Sequence, residues 1–193
     1  KTRFIQCIPI HLYERKQIML NFEHVTPGFR DLDKVSELCA AAFPARERGP
    51  LEKLISHDLP GSGVIALYDE NEFVGLVSTI TAGDITHIIY LAIRGDLRGH
   101  NYGSQAIELT RGLFPGKRII ADLEAPDDNA DNAGERIRRT HFYAKNGFEK
   151  TEVEYEWQGE SYVIWSLGGM VTSDEFDKFW ESFYENGKAG SEF

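Results

Sequence analysis

The run RGHNYGS, residues 98–104, has the residue types of an anion-binding turn. It follows an apolar stretch, residues 85–93, and precedes a segment with helical spacing. Successive amide N–H groups in such a turn can converge, and the positive end of the following helix adds to them. Glycines let the backbone approach a phosphate closely. The same glycines would also serve a plain strand-to-helix turn, so the loop by itself leaves both readings open. It lacks the Gly-Lys-Ser/Thr ending of a P-loop and the Gly-x-Gly-x-x-Gly spacing of a dinucleotide turn. A second cluster, Arg136, Arg138 and Arg139, could meet a phosphate through guanidinium forks or pair with the acids of the neighbouring APDDNADNAGE. His11, His24, His57 and His141 show no metal-ligand spacing and no cysteine pair joins them, so no metal site is expected. Gly61-Ser62-Gly63 does not make the Gly-x-Ser-x-Gly elbow of a serine hydrolase.

The elements that would position these groups follow from periodicity. Residues 19–25 read as a strand broken by Pro27-Gly28. Phe29, Leu32, Val35, Leu38, Cys39 and Phe43 then recur at the spacing of one buried helical face, closed by Pro44. Pro50 suits the first turn of a short helix to about residue 57. Residues 63–68 and 73–82 form a hairpin about a polar turn. Residues 85–93 are apolar on both alternations, which predicts a central strand covered on both faces. The glycine loop, a helix over 104–114 and a strand over 118–124 come next, then a polar loop over 125–134. A helix over 135–146 ends at Gly147, and strands 148–157 and 161–166 flank Gln158-Gly159. The last helix, 172–185, carries Phe176, Phe179, Trp180, Phe183 and Tyr184 on one stripe, as core cover or a homodimer contact. Strands mixed with crossovers predict an α/β chain with a mixed sheet and helices on both faces.

With 193 residues, 41% hydrophobic and 27% charged, the chain is sized for one folded domain and is too apolar to be disordered. Its net charge of -10 disfavours nucleic acid and anionic membrane surfaces and favours cationic partners such as amines. No stretch is long and apolar enough to span a bilayer, and the start is not read as a signal peptide. Cys7 and Cys39 are too few for a disulfide framework, which suggests a reducing, cytoplasmic setting.

The segment YLAIRGDLRGHNYGSQAI, residues 90–107, resembles motif A of the GNAT N-acetyltransferases, whose signature is Arg/Gln-x-x-Gly-x-Gly/Ala. HFYAKNGFE, residues 141–149, resembles their motif B, and the intervening helix, strand and loop keep the family's order. The resemblance covers residues 19–166 and implies an acyl-CoA acyltransferase fold with a central, mostly antiparallel sheet flanked by helices. Residues 19–169 would be the transferase domain, 1–18 an extension of uncertain origin and 170–193 an acidic amphipathic helix and tail.

The implied activity is transfer of an acetyl group from acetyl-CoA to a primary amine, small molecule or peptide, by direct attack in a ternary complex. The alternative is a non-catalytic CoA-binding module of the same fold. By resemblance, Arg98, Gly99, His100, Asn101, Tyr102, Gly103 and Ser104 bind the pyrophosphate, with Asn101 standing where the first motif glycine is usual. Asparagine is the non-glycine residue that best tolerates a left-handed backbone. Leu91, Ala92 and Ile93 match the strand beside the pantetheine arm, where an amide near Leu91 would polarise the thioester carbonyl. Tyr143 falls at the motif B tyrosine that protonates the departing sulfur, or else packs with Phe142. His87 lies where some members carry a glutamate base, and it reads more readily as a core or strand histidine satisfied within the fold. Glu124, ending its strand, could hold or deprotonate the amine or be a solvated strand end. An acidic surface leans toward a polyamine, amino sugar, amino acid or protein amine without choosing among them.

Overall fold

The computed structural model describes residues 20–45, 48, 51–56 and 61–189. The 1–18 extension, Pro50 and His57 lie outside the described residues. In chain order the elements are β1 (Asn21–His24), α1 (Leu32–Ala42), α2 (Leu51–Ile55), β2 (Ser62–Asp69), β3 (Glu72–Ala82) and β4 (Ile85–Ile93). They continue with α3 (Tyr102–Leu113), β5 (Arg118–Glu124), α4 (Ala133–Lys145), β6 (Glu149–Trp157), β7 (Glu160–Leu167) and α5 (Ser173–Ala189). The described strands form one seven-stranded sheet in the order β1-β2-β3-β4-β5-β7-β6. Every pair is antiparallel except β4 with β5.

The apolar run of β4 is explained by its position in the middle of this sheet with helices on both sides. On one face, α3 and α4 bring Tyr102, Ala106, Ile107 and Tyr143 against Leu67, Val77, Ile88, Ile119 and Ala121. On the other, α1 and α2 cover Val64, Ala66, Leu76, Tyr90 and Ala92 with Val35, Cys39 and Leu54. The remainder of that second face belongs to α5, whose Phe176, Phe179 and Phe183 bury Ile80, Ile85, Ile120 and Ile164. Phe176, Phe179 and Phe183 of the α5 stripe are therefore core cover, with Trp180 partly buried against them, whereas Tyr184 is exposed.

Two irregularities in β4 create a site. Thr79 pairs with Ile88 and Ser78 with Tyr90, so Ile89 is an extra residue, a β-bulge. The insertion reverses the alternation: Ile88 packs toward α3, whereas Tyr90 and Ala92 pack toward α1. In addition, β4 pairs with β5 only from Ile85↔Arg118 to Ile88↔Ala121. Beyond that point the strands part, and the edge of β4 that faces β5 has no strand partner from Ile89 onward. The opposite edge remains tied to β3, where Gly75 leaves no room for a side chain because a Cβ there would strike the carbonyl of Ala92.

The closed end of the fork is fastened to α5. Arg118 donates to Asp84 (3.1 Å) and to the Met170 carbonyl (2.7 Å), and pairs with Glu175 at 2.8 Å. Glu175 also accepts from the Thr172 amide (2.9 Å) while its own amide donates to the Thr172 hydroxyl (3.3 Å), a reciprocal capping box at the start of α5. The hydrogen bond from Arg118, then that from the Thr172 backbone, draws the Glu175 carboxyl from its ordinary 4.5 down to about 2. A depressed folded-state pKa means stabilisation that is complete above the ordinary value and is lost as pH falls through the folded one. Glu175→Gln is expected to lower the melting temperature at neutral pH, with the gap to wild type closing between pH 4.5 and about pH 2. Melting followed by circular dichroism across that range checks this, and a constant gap would count against the ion pair.

Candidate active site

The turn after β4 is built by its backbone. Arg94 anchors it, donating to the Phe73 carbonyl (2.9 Å), Glu72 (3.0 Å) and Asp96 (2.6 Å). A short 3-10 turn, Gly95–Leu97, follows. Gly99 then takes φ 84° and Asn101 φ 68°, both left-handed, so the turn keeps the conformation that the missing glycine would otherwise supply. Asn101 is the residue at the N-cap of α3, and its side chain makes no capping hydrogen bond. The first-turn amides of α3 are thus left for a ligand.

Helix α3 starts at Tyr102, earlier than the apolar spacing predicts, so Tyr102, Gly103 and Ser104 form its first turn. The ring of Tyr102 turns into the core and its hydroxyl donates to Asp69 (2.6 Å). Gly103 is closely packed, since a Cβ there would lie 3.0 Å from the ring of Phe142 on α4.

A cavity of about 880 Å³ opens from this turn and runs through the fork between β4 and β5. Of the residues expected to bind the donor, Leu91, Ala92, Ile93, Arg98, Gly99, Asn101, Tyr102, Gly103 and Ser104 line it. His100 does not: it is exposed, with its ring Nδ1 3.2 Å from the Leu97 carbonyl. Phe142, Tyr143, Arg138, Arg139 and Lys145 of α4 form one wall, and Ala41, Ala42 and Phe43 at the end of α1 form another. Because α1 and α4 lie on opposite faces of the sheet, the cavity passes from one face to the other.

Three expected catalytic residues are distributed unequally. Tyr143 lines the cavity, with its ring 5.0 Å from Phe148 and 5.2 Å from Phe142. Burial, followed by the charge on Asp122, pushes its phenol well above the ordinary value. His87 lies behind the wall, 1% exposed, with Nε2 bonded to Asp122 and its ring against Phe176, Phe179 and Trp180. Its Nδ1 has no hydrogen-bond partner among the described residues. Glu124 is also buried away from the cavity. One of its oxygens accepts from Asn132 (2.8 Å) and the other from Arg139, and Arg136 lies 3.5 Å away. The solvated strand end expected of Glu124 is instead the centre of an ion-pair cluster. Arg136 completes that cluster by donating to Glu160 (2.8 Å) and to the Ala125 carbonyl (3.0 Å).

Among the described residues two carboxylates do line the cavity, Glu135 of α4 and Asp122 in the middle of β5, and Asp122 is the one at the fork. Its Oδ1 is bonded to His87 and its Oδ2 accepts from Tyr155 (2.9 Å). Burial works to raise its pKa, but the charge and hydrogen bond of His87, and then the Tyr155 hydroxyl, outweigh it and hold the carboxyl below its ordinary value. Sequence reasoning passes over Asp122. The available signal is a charged residue in RIIADLE at a position flanked by buried apolar neighbours, where an acid needs a partner.

A mostly antiparallel sheet whose parallel middle strands part, with a glycine-type turn leading from the fork into a helix, is the fold of the GNAT acetyltransferases. The model of the Acetyltransferase (GNAT) family matches residues 32–148, more than half of the chain, and the protein belongs to that family. An acetyltransferase assigned to the GNAT family from Bacteroides thetaiotaomicron is similar at a TM-score of 0.69 and 16% identity, over 82% of this chain and 92% of that one. A GNAT acetyltransferase from Elizabethkingia anophelis with acetyl-CoA bound gives a TM-score of 0.54 at 14% identity, covering 77% and 97% of the two chains. The aminoglycoside 6'-N-acetyltransferase of Enterococcus faecium gives 0.58 at 14%, covering 76% and 96%. No curated protein sequence matches the chain.

The left-handed backbone at Asn101 sets up an asymmetric pair of variants. Asn101→Gly is expected to keep both the melting temperature and CoA binding. Asn101→Val forces a β-branched residue into a region it avoids, costs about 1–2 kcal/mol of stability and weakens CoA binding measured by titration calorimetry. Equal CoA affinity in the valine variant would separate the turn conformation from ligand binding.

Proposed function

We propose that the protein is an acetyl-CoA-dependent N-acetyltransferase that acts on a primary amine by direct attack within a ternary complex. The observation that carries this reading is the single passage joining the amide turn, Tyr143 and Asp122 through the β4–β5 fork. The site suits the donor substrate: uncapped amides and left-handed residues match a pyrophosphate, and Arg98, Arg138 and Lys145 supply positive charge along the same lining. Leu91, Ala92 and Ile93 run from the turn back to the fork, about 16 Å from Arg94 to Ile89 at roughly 3.3 Å per strand residue. An extended pantetheine arm can follow that bare edge, hydrogen-bonded where β5 would otherwise pair. An amide of that edge, near Leu91, is the donor for the thioester carbonyl.

In the reaction the amine nitrogen forms a bond to the thioester carbon, the carbon–sulfur bond breaks and the thiolate takes up a proton. Asp122, held ionised by His87 and Tyr155, pairs with the incoming ammonium, which first loses one proton to solvent so that its nitrogen carries a free electron pair; the neutral amine then attacks, and Asp122 takes the second N–H proton as the C–N bond forms. His87 is in this reading a positioning residue, and Glu124 fixes Arg139 in the cavity wall. Tyr143 stays protonated at neutral pH because burial disfavours the phenolate, so its hydroxyl is available to the departing sulfur. The left-handed φ of Asn101 supports donor binding, since the turn is intact without its glycine; the non-catalytic CoA-binding module shares that feature and differs in lacking thiol release.

Thiol release from acetyl-CoA in the presence of amines tests the activity. Tyr143→Phe is expected to lower kcat by about 10²–10⁴ while the Kd for acetyl-CoA stays unchanged. Undiminished turnover would remove Tyr143 from the mechanism. Asp122→Asn is expected to lower kcat/KM for the amine without changing acetyl-CoA affinity. Because the folded Asp122 carboxyl titrates below its ordinary value, the acid limb of wild-type kcat/KM should not fall between pH 5 and 7 on its account. An acid limb in that range that persists in Asp122→Asn would confirm a different titrating group; one that vanishes in the variant would overturn the assignment of a low-pKa carboxylate.

A further inference from the structure

Resting on the transferase reading above, we infer that the acceptor is a monocationic amine with a compact apolar body, rather than a polyamine or an amino sugar. The donor arm lies along β4 on the side of Leu91 and Ile93, which pack toward α3. The amine must then reach the fork from the opposite face. The described residues that line the cavity there are Ala41, Ala42, Phe43 and Ile89, with Asp122 as their acid. Phe43 is held by Tyr90 at 4.7 Å between ring centroids, and Ile89 packs toward both α1 and α5.

Charge decides between acceptor classes. Each ammonium of a polycation needs an anionic or polar partner once it leaves water, because an unpaired buried charge is costly. Glu135, the other acid of the lining, belongs to α4 and pairs with Arg138 at 3.6 Å on the donor side. Glu124 is consumed by Arg139 and Asn132. Among the described residues, that leaves one carboxylate for one ammonium. Asp122 itself has capacity for it: His87 and Tyr155 take one site on each oxygen, and a carboxylate offers about four. Apolar walls around a single acid favour an alkyl or aryl amine, and an added carboxylate on the acceptor, as in a free amino acid, would face Asp122 with like charge.

The test measures kcat/KM by thiol release for 2-phenylethylamine, hexylamine, ethylamine, spermidine, kanamycin and phenylalanine. The two apolar monoamines are expected to exceed spermidine, kanamycin and phenylalanine by at least about tenfold, the scale on which a pocket discriminates groups of this size. Phe43→Ser should reduce kcat/KM for 2-phenylethylamine by about tenfold while changing that for ethylamine far less, a split that general unfolding would not produce. As a measurement independent of turnover, titration of 2-phenylethylamine into CoA-saturated protein should give binding that Asp122→Asn abolishes, while circular dichroism shows the variant, although less stable, still folded at the assay temperature and acetyl-CoA binding retained. A preference for spermidine, kanamycin or phenylalanine would overturn the inference and leave the transferase reading standing. Thiol release with none of the amines, despite acetyl-CoA binding, would overturn both.

Discussion

The parting of two parallel strands is the constraint on which the site depends. Backbone donors and acceptors in a sheet interior must be paired, so a strand edge can be bare inside a fold only where something polar is meant to lie against it. β4 meets that requirement on one side through β3 and abandons it on the other after Ile88. The bulge at Ile89 falls at the same point and increases the local twist, which helps the strands diverge. Fork, bulge and cavity are one feature described three ways. What keeps the closed end closed is equally local: four paired positions, then Arg118 bridging Asp84 and α5.

The elements themselves were legible in the chain because each carries a strong local cue. The limits of β4 and β5 follow from apolar runs ended by turn residues, and Gly147 stops α4 with φ 86° as a left-handed C-terminal residue should. Gln158 and Gly159 take φ 53° and 81°, the paired positive values of a tight hairpin. The bulge was not legible, since Ile88, Ile89, Tyr90, Leu91 are all apolar and a one-residue insertion leaves no trace in such a pattern. Helix α3 begins before its apolar spacing does, because its first turn is held by the cradle and by Phe142 against Gly103 rather than by buried aliphatic residues.

The candidate acids illustrate the same division. Motif position picks out residues 98–104 and Tyr143, and all of these but His100 line the cavity, because their placement is set by chain-local geometry. A base is harder, because its chemistry is decided by residues distant in sequence. Glu124 looks free until α4 folds back and brings Asn132, Arg136 and Arg139 to it. Asp122 looks like one polar residue in a strand until the register of β5 with β4 and β7 brings His87 from one side and Tyr155 from the other. No spacing rule relates these three positions.

The net charge of -10 acquires a direction once the cavity is known. At the turn, amide dipoles and the cations of the lining make a local positive field that is stronger at contact than a surface field screened over about 10 Å. At the fork, the negative field instead adds to Asp122. The helix α5 makes that second half possible, because Phe176, Phe179 and Trp180 exclude water from His87 and oblige its only described hydrogen bond to go to Asp122. A histidine that solvent could reach would be free to turn away; one boxed by aromatic rings keeps the carboxylate aimed into the passage. The C-terminal helix therefore acts on the cavity through packing alone, by fixing the partner of the carboxylate that lines the fork.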